Sequence, residues 1–165
     1  MKLQFSMNNQ PEIIIIAAVS ENSVIGKNNS LPWKIKADLI RFKKLTMGYP
    51  CLMGRNTYDS LPIKPLPGRI NIVITSKPET IHEDVEKYSS IDVAIKNCSK
   101  YKKIYICGGS SIYKKTLSLA NRIELTIIHA KYNGDVYFPE INLDCWKSIN
   151  VEDKDKFSFI TYIRK

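Results

Sequence analysis

The sequence predicts a single α/β domain built on a mainly parallel sheet, and three observations carry that reading. Short β-branched runs of strand length alternate with segments of helical periodicity, the pattern of crossover units. The run Ile13-Ile14-Ile15-Ile16-Ala17-Ala18-Val19 falls far short of the ~20 apolar residues of a membrane helix. It is bounded by Pro11 and by Ser20-Glu21-Asn22, so it reads as a buried central strand. The end of the chain breaks the alternation: strand-like runs at 145–151 and 157–164 flank a charged turn and predict an antiparallel hairpin.

Residues 1–10, mostly polar, read as a loose tail ahead of a domain spanning 11–165. The first strand is expected at 12–19. A helix follows at 36–46, where Ile35, Leu39, Phe42 and Leu45 or Thr46 recur at helical spacing. A strand at 49–54 ends in glycine and leads into a helix at 56–61. The proline-rich stretch 61–69 is a loop that cannot join a ladder. Strands are expected at 70–75, 103–107 and 123–130, with a weaker one at 86–88, and helices at 90–99 and 110–119.

A chain of 165 residues suits one domain, and at this size roughly 70% of the unfolded surface can be buried. No disulfide is needed. Cys51, Cys98, Cys107 and Cys145 show no CxxC spacing and read as reduced, mostly buried thiols of a cytoplasmic protein. With only His82 and His129 and no clustered ligands, no metal site is expected. The net charge of +9 favours anionic partners without choosing among them. The lysines are spread along the chain, with no basic block interleaved with aromatics, so nucleic acid is not expected. The first ten residues lack the apolar centre of a targeting signal. The expectation is a monomer in the cytoplasm with no membrane partner.

Asp38 is the only acidic residue between Glu21 and Asp59, in a stretch carrying Lys27, Lys34, Lys36, Arg41, Lys43, Lys44 and Arg55. It follows Trp33 and stands one helical turn before Phe42, at the edge of an apolar stripe that would suit a flat aromatic ligand. A surface carboxylate paired with Arg41 or Lys34 would explain the same pattern. In Cys107-Gly108-Gly109-Ser110-Ser111-Ile112-Tyr113 a strand runs into two glycines and a helix start. Phosphates can approach such backbone closely; a tight strand–helix turn is the alternative. Met53-Gly54-Arg55-Asn56-Thr57 again ends a strand in glycine, with Arg55 at its carboxyl end. Thr75-Ser76-Lys77 ends another, and two such ends suit a phosphomonoester. Arg69 follows the rigid Pro65-Leu66-Pro67-Gly68 turn and could turn its fork to a carboxylate. Each of these cations, taken alone, could be a solvated one.

Taken in order, Ile16-Ala17-Ala18, Val24-Ile25-Gly26, Leu31-Pro32-Trp33, Asp38 with Phe42 and Lys43, Met53 to Tyr58, Pro65 to Asn71, Gly108-Gly109 with Tyr113, Leu125-Thr126, Gly134-Asp135 and Phe138-Pro139 resemble the dihydrofolate reductases from about residue 13 to the end. The resemblance implies a three-layer fold: an eight-stranded, mostly parallel sheet with an antiparallel last strand and helices on both faces. It implies NADPH-dependent reduction of 7,8-dihydrofolate to tetrahydrofolate for one-carbon metabolism, with dihydrofolate and antifolate inhibitors as partners.

On that resemblance Asp38, Trp33 and Thr126 are the catalytic group, with Asp38 gripping the pterin and setting the proton affinity felt by a delivering water. Leu39, Phe42, Leu61 and Leu66 form apolar walls. Ile16 and Cys107 offer carbonyls, Tyr113 lies beside the substrate, and Arg69 binds the substrate's α-carboxylate. Ala18 and Ile25 touch nicotinamide. Arg55, Ser76 and Lys77 hold the 2′-phosphate, and Thr75 also binds the cofactor. Gly54, Asn56, Thr57, Cys107, Gly108, Gly109, Ser110, Ser111 and Ile112 line the remaining cofactor path, with the Gly108–Gly109 peptide cis. The loop 26–33 is a lid and Asp135 steadies it. Cys107 replaces a usual aliphatic residue, and Ser110 a third glycine. A pyrimidine reductase of riboflavin synthesis and a non-catalytic nucleotide-binding module are the competing readings.

Overall fold

The computed structural model describes residues 10–165, so residues 1–9 of the expected tail lie outside the described residues. In chain order the elements are β1 (Glu12–Ser20), β2 (Val24–Gly26), α1 (Lys36–Thr46), β3 (Pro50–Gly54), α2 (Arg55–Ser60), β4 (Ile70–Ile74), β5 (Glu86–Tyr88), α3 (Ile91–Lys96), β6 (Lys103–Ile106), α4 (Ser110–Thr116), β7 (Arg122–Ile128), β8 (Val136–Tyr137), β9 (Trp146–Asp153) and β10 (Phe157–Arg164). One eight-stranded sheet runs β5-β4-β3-β6-β1-β7-β10-β9. Pairing is parallel from β5 across to β7, and β10 is antiparallel to both its neighbours.

The β-branched runs explain the layers. Alternate residues of a strand face opposite sides. Ile14, Ile16, Cys51, Met53, Val73 and Tyr105 therefore share one face, packed with Tyr58 of α2 and with Phe42 and Leu45 of α1. Ile13, Ile15, Leu52, Ile72, Ile104, Ile106 and Ile123 share the other, packed with Ala94 of α3 and with Ile112 and Tyr113 of α4. Full burial of each such side chain contributes roughly 1.5–3 kcal/mol.

Element ends differ from expectation where side chains intervene. The helix expected to reach 99 stops at Lys96, because Asn97 donates its amide to Val93 O at 2.8 Å and a turn follows. The helix expected to reach 119 stops at Thr116, whose hydroxyl bonds back to Ile112 O at 2.7 Å. The strand expected at 123–130 is β7, shifted to Arg122–Ile128, and the first strand of the hairpin extends to Asp153. The two-stranded ribbon of β2 and β8 was not anticipated. Gly134 lets it close: a Cβ there would overlap Val24 and stand 2.7 Å from Gly26 O.

The sheet opens at one place. β1 pairs with β6 only as far as Ile15 opposite Ile106. Beyond that point Cys107 N bonds Leu52 O and Gly54 N bonds Gly108 O, both at 2.8 Å, so the chain leaves β1 and follows β3. β1 continues beside β7 to Ser20. The strands' carboxyl ends thus frame a split, the position where open α/β sheets take ligands.

Candidate active site

α1 closes one side of the split. Its anchored end is Thr46, fully buried, with Phe42 and Leu45 partly buried. Its first two turns reach the sheet only through polar side chains, Asp38 to Thr126 and Arg41 to Glu124. Leu39 is 59% exposed and is not part of the core. Asp38 lies in the first turn, where the helix's positive end favours its charge. Burial works against that charge and prevails, raising the carboxyl pKa above 3.8; the bond from Thr126 and the charge of Arg41 oppose it.

Thr126 Oγ1, on β7, donates to Asp38 Oδ1 at 2.6 Å. Among the described residues Asp38 joins no ion pair, so the surface pairing with Arg41 or Lys34 is not what the fold adopts. Arg41 reaches Glu124 Oε2 at 2.5 Å, and its guanidinium lies 4.6 Å from the centre of the Phe159 ring. Thr161 donates to the same Glu124 oxygen at 2.8 Å. Trp33 is buried against Tyr132, ring centres 5.2 Å apart, and its Nε1 has no partner within the described residues. Leaving such a donor unmet costs about 1–3 kcal/mol.

Across the split, the Gly108–Gly109 peptide is cis, as the resemblance implied. Gly108 has φ +111°, and a Cβ on it would stand 3.2 Å from Tyr113 Oη. A Cβ on Gly109 would meet Thr57 Oγ1 at 3.3 Å, and one on Gly54 would meet Ile112 at 3.3 Å. A side chain at any of the three would press on Tyr113, Thr57 or Ile112, so the backbone there stays bare. Tyr113, on α4, is buried and donates its hydroxyl to Ile16 O at 2.7 Å. Burial, then the charges of Cys107 and Asp38, push its phenol pKa up, so it stays a donor. The carbonyl of Ile16 keeps a second lone pair. Ala18 is half-buried opposite Thr126 in register, and Ile25 sits on β2. Ser110 Oγ donates to Tyr137 O at 2.7 Å, so the residue in the third-glycine position ties α4 to β8. Ile112 is chiefly a core residue; Ser111 and Asn56 are exposed.

The thiols follow burial. Cys107 is pushed up by its hydrogen bond with Cys51 and by burial, and Cys98 to about 11 by burial. All four are free, and Cys145 is exposed rather than buried.

Arg69 donates to Pro67 O at 2.8 Å and to Thr46 Oγ1 at 3.2 Å, and lies 6.0 Å from the Phe42 ring centre. It has no carboxylate partner among the described residues. Phe42, Leu61 and Leu66 pack partly buried beside it. Asn71, missed from sequence, accepts from Leu66 N at 2.8 Å and donates to Leu66 O and Arg69 O, lacing the proline-rich loop to β4.

A separate cleft of about 460 Å³ is lined by Arg55, Asp59, Ile74, Thr75, Ser76, Lys77 and Thr80. Arg55 is aimed there by Asp59 at 2.9 Å and Thr80 at 2.5 Å. Ile74 also borders a second cleft of about 360 Å³, with Ser89, Ser90, Ile91, Asp92, Lys115 and Leu119. Ser89 to Asp92 are consecutive, and only the fold brings Ile74, Lys115 and Leu119 to them. Beside the loop 26–33, Asn28 N donates to Asp135 Oδ2 at 3.2 Å and Asp135 N to Gly26 O at 3.1 Å. No helix among the described residues is long and apolar enough to cross a membrane.

The family model described as dihydrofolate reductase matches residues 12–164. The chain is 37% identical to the dihydrofolate reductase of Neisseria gonorrhoeae, over 93% of this chain and 99% of that one. It is 36% identical to that of Bacillus subtilis (93% and 95%) and 43% identical to that of Buchnera aphidicola (84% and 86%). The structure of dihydrofolate reductase from Enterococcus faecalis complexed with NADP(H) and RAB-propyl superposes with a TM-score of 0.86 at 32% identity, covering 94% of this chain and 97% of that one.

Proposed function

Because this chain belongs to the dihydrofolate reductase family, we propose that the split in its sheet is where it reduces 7,8-dihydrofolate to 5,6,7,8-tetrahydrofolate, feeding one-carbon metabolism. Bound NADPH supplies the hydride that C6 of the substrate receives. The chain's own residues hold the two ligands and manage the proton that N5 receives.

The observation that carries this reading is the Asp38–Thr126 pair, half-buried beside the split and free of any ion pair. The pterin edge presents two N–H donors, which a carboxylate accepts as a charge-assisted pair. Thr126 holds one oxygen and so turns the group. Burial keeps its proton affinity up, and general acid assistance is typically worth roughly 10²–10⁴-fold. A water delivers the proton to N5, and the unpartnered Nε1 of Trp33 is the donor suited to orient it. Ile16 and Cys107 offer carbonyls to the pterin amino group. Phe42, Leu61, Leu66 and Leu39 form the walls, and Arg69 takes the α-carboxylate.

The residues fit the cofactor. The bare backbone at Gly54, Gly108 and Gly109, where close packing against Ile112, Tyr113 and Thr57 leaves no room for a Cβ, suits the pyrophosphate together with Thr57. Arg55 with Thr75, Ser76 and Lys77 suits the 2′-phosphate, which favours NADPH over NADH. Ala18 and Ile25 face the nicotinamide, and the cleft at Ile74 and Lys115 accommodates adenine. The unit assigned to this activity is 11–165, acting as a monomer in the cytoplasm. The deciding assay follows NADPH absorbance, which falls on adding dihydrofolate and stops falling with a diaminopyrimidine antifolate. Folded protein that leaves NADPH untouched overturns the assignment.

A further inference from the structure

Glu124 stands two residues before Thr126 on β7, so both side chains project from the same face of the sheet. It is 7% exposed. A buried carboxylate needs partners, and Glu124 has three: Arg41 at 2.5 Å, Thr161 at 2.8 Å and, more loosely, Arg122 at 3.7 Å. Arg122 is already committed to Glu12 at 2.8 Å. Arg41 is the member that matters for the reaction. It lies three residues after Asp38 on α1, close enough for an i,i+3 pair. It therefore has two carboxylates within reach, and it takes Glu124.

We propose that Glu124 is a positioning residue for the reduction: it draws Arg41 over Phe159 and away from Asp38, leaving the second Asp38 oxygen free for the substrate. The inference rests on the proposed role of Asp38. The groups facing Asp38 bear it out. From α1 comes Arg41, from β7 Thr126, and from α4 the protonated phenol of Tyr113. β10 contributes only the uncharged Phe159 and Thr161, which hold Arg41 and Glu124. Among the described residues Arg41 is the cation whose charge reaches Asp38, and its placement decides how far the carboxyl's proton affinity is lowered.

The test uses Glu124→Gln, which keeps the shape and the bond from Thr161 but releases Arg41. Carbon-13 NMR titration of Asp38 in the ligand-free chain reads the placement directly. The pH profile of hydride transfer reads its consequence. An opposite charge moving into contact lowers a carboxyl by 1–3 units, so E124Q is expected to lower the Asp38 midpoint by about 1 unit. Hydride transfer then falls roughly tenfold above the midpoint, with KM for NADPH unchanged. Glu124→Asp keeps the charge but retracts it, and moves the midpoint the same way by less; it also serves if E124Q fails to fold. Adding Arg41→Met to E124Q restores the midpoint. An unmoved Asp38 midpoint in folded E124Q or E124D overturns the proposal, as does a double variant that keeps the low midpoint. Should the wild-type chain not oxidise NADPH with dihydrofolate, the functional assignment falls, while the NMR titration still decides where Arg41 is held.

Discussion

Asp38 carries two opposed requirements on one side chain. Its proton affinity is raised because burial penalises the carboxylate more than Thr126 and Arg41 relieve it. A carboxyl whose folded pKa exceeds its unfolded value contributes stability below the unfolded pKa and loses it as pH rises through the folded one. Asp38→Asn removes that cost. The variant is therefore expected to melt above the wild type at neutral pH, the difference vanishing as the solution is acidified. The same variant slows hydride transfer strongly at neutral pH, with partial recovery in acid where solvent protonates the substrate. Calorimetry and stopped-flow over one pH series check both, and a flat pH response at near-normal rate removes Asp38 from the proton path. Arg55 is the other residue whose role turns on one charge. Held by Asp59 and Thr80 over an otherwise open cleft, it has donors left for a phosphate. A charged hydrogen bond contributes roughly 1.5–3 kcal/mol. Arg55→Ala is thus expected to raise KM for NADPH roughly ten- to hundredfold while KM for NADH and for dihydrofolate hardly moves, which steady-state kinetics with both cofactors reads.

At the level of elements, the proline-rich loop shows how an irregular segment is made a fixed wall. Prolines remove donors from 61–69, so regular pairing is closed to it. Asn71, 4% exposed, replaces the missing ladder with bonds to Leu66 N, Leu66 O and Arg69 O. Asn71→Ala leaves those groups unmet, at about 1–3 kcal/mol. Its expected phenotype is a lower Tm and a raised KM for dihydrofolate, through Arg69 and Leu66, with KM for NADPH unchanged.

The Asn71 latch marks the limit of what was legible beforehand. Strands and the first helix could be read because their periodicity is local, and Asp38 stood out as one acid among cations. The glycine pair was legible because glycine announces a close approach. Glu124, Thr161 and Asn71 were not, since an acid, a threonine and an asparagine acquire partners only once strands are in register. β2 and β8 are too short to show a period. Leu39 fits the helical stripe by spacing, yet the apolar packing of α1 lies toward Thr46 while its first turns meet the sheet through polar side chains, so Leu39 overhangs the groove instead of filling it.

For the molecule as a whole, the sheet divides its labour. Eight strands and two apolar layers carry stability, while the residues assigned to chemistry gather at the one seam left unstitched beyond Ile15 and Ile106. The net charge of +9 favours the approach of anionic ligands to the molecule as a whole. A seam without cross-strand bonds leaves nearby amides open to solvent attack. Deuterium uptake at Ala18, Gly108 and Gly109 is accordingly expected to be rapid in the free chain and slowed on adding NADPH or an antifolate, whereas amides along β7 and β10, zipped over their whole length, exchange at one pace in either state. The ligands, on this view, are the missing rungs.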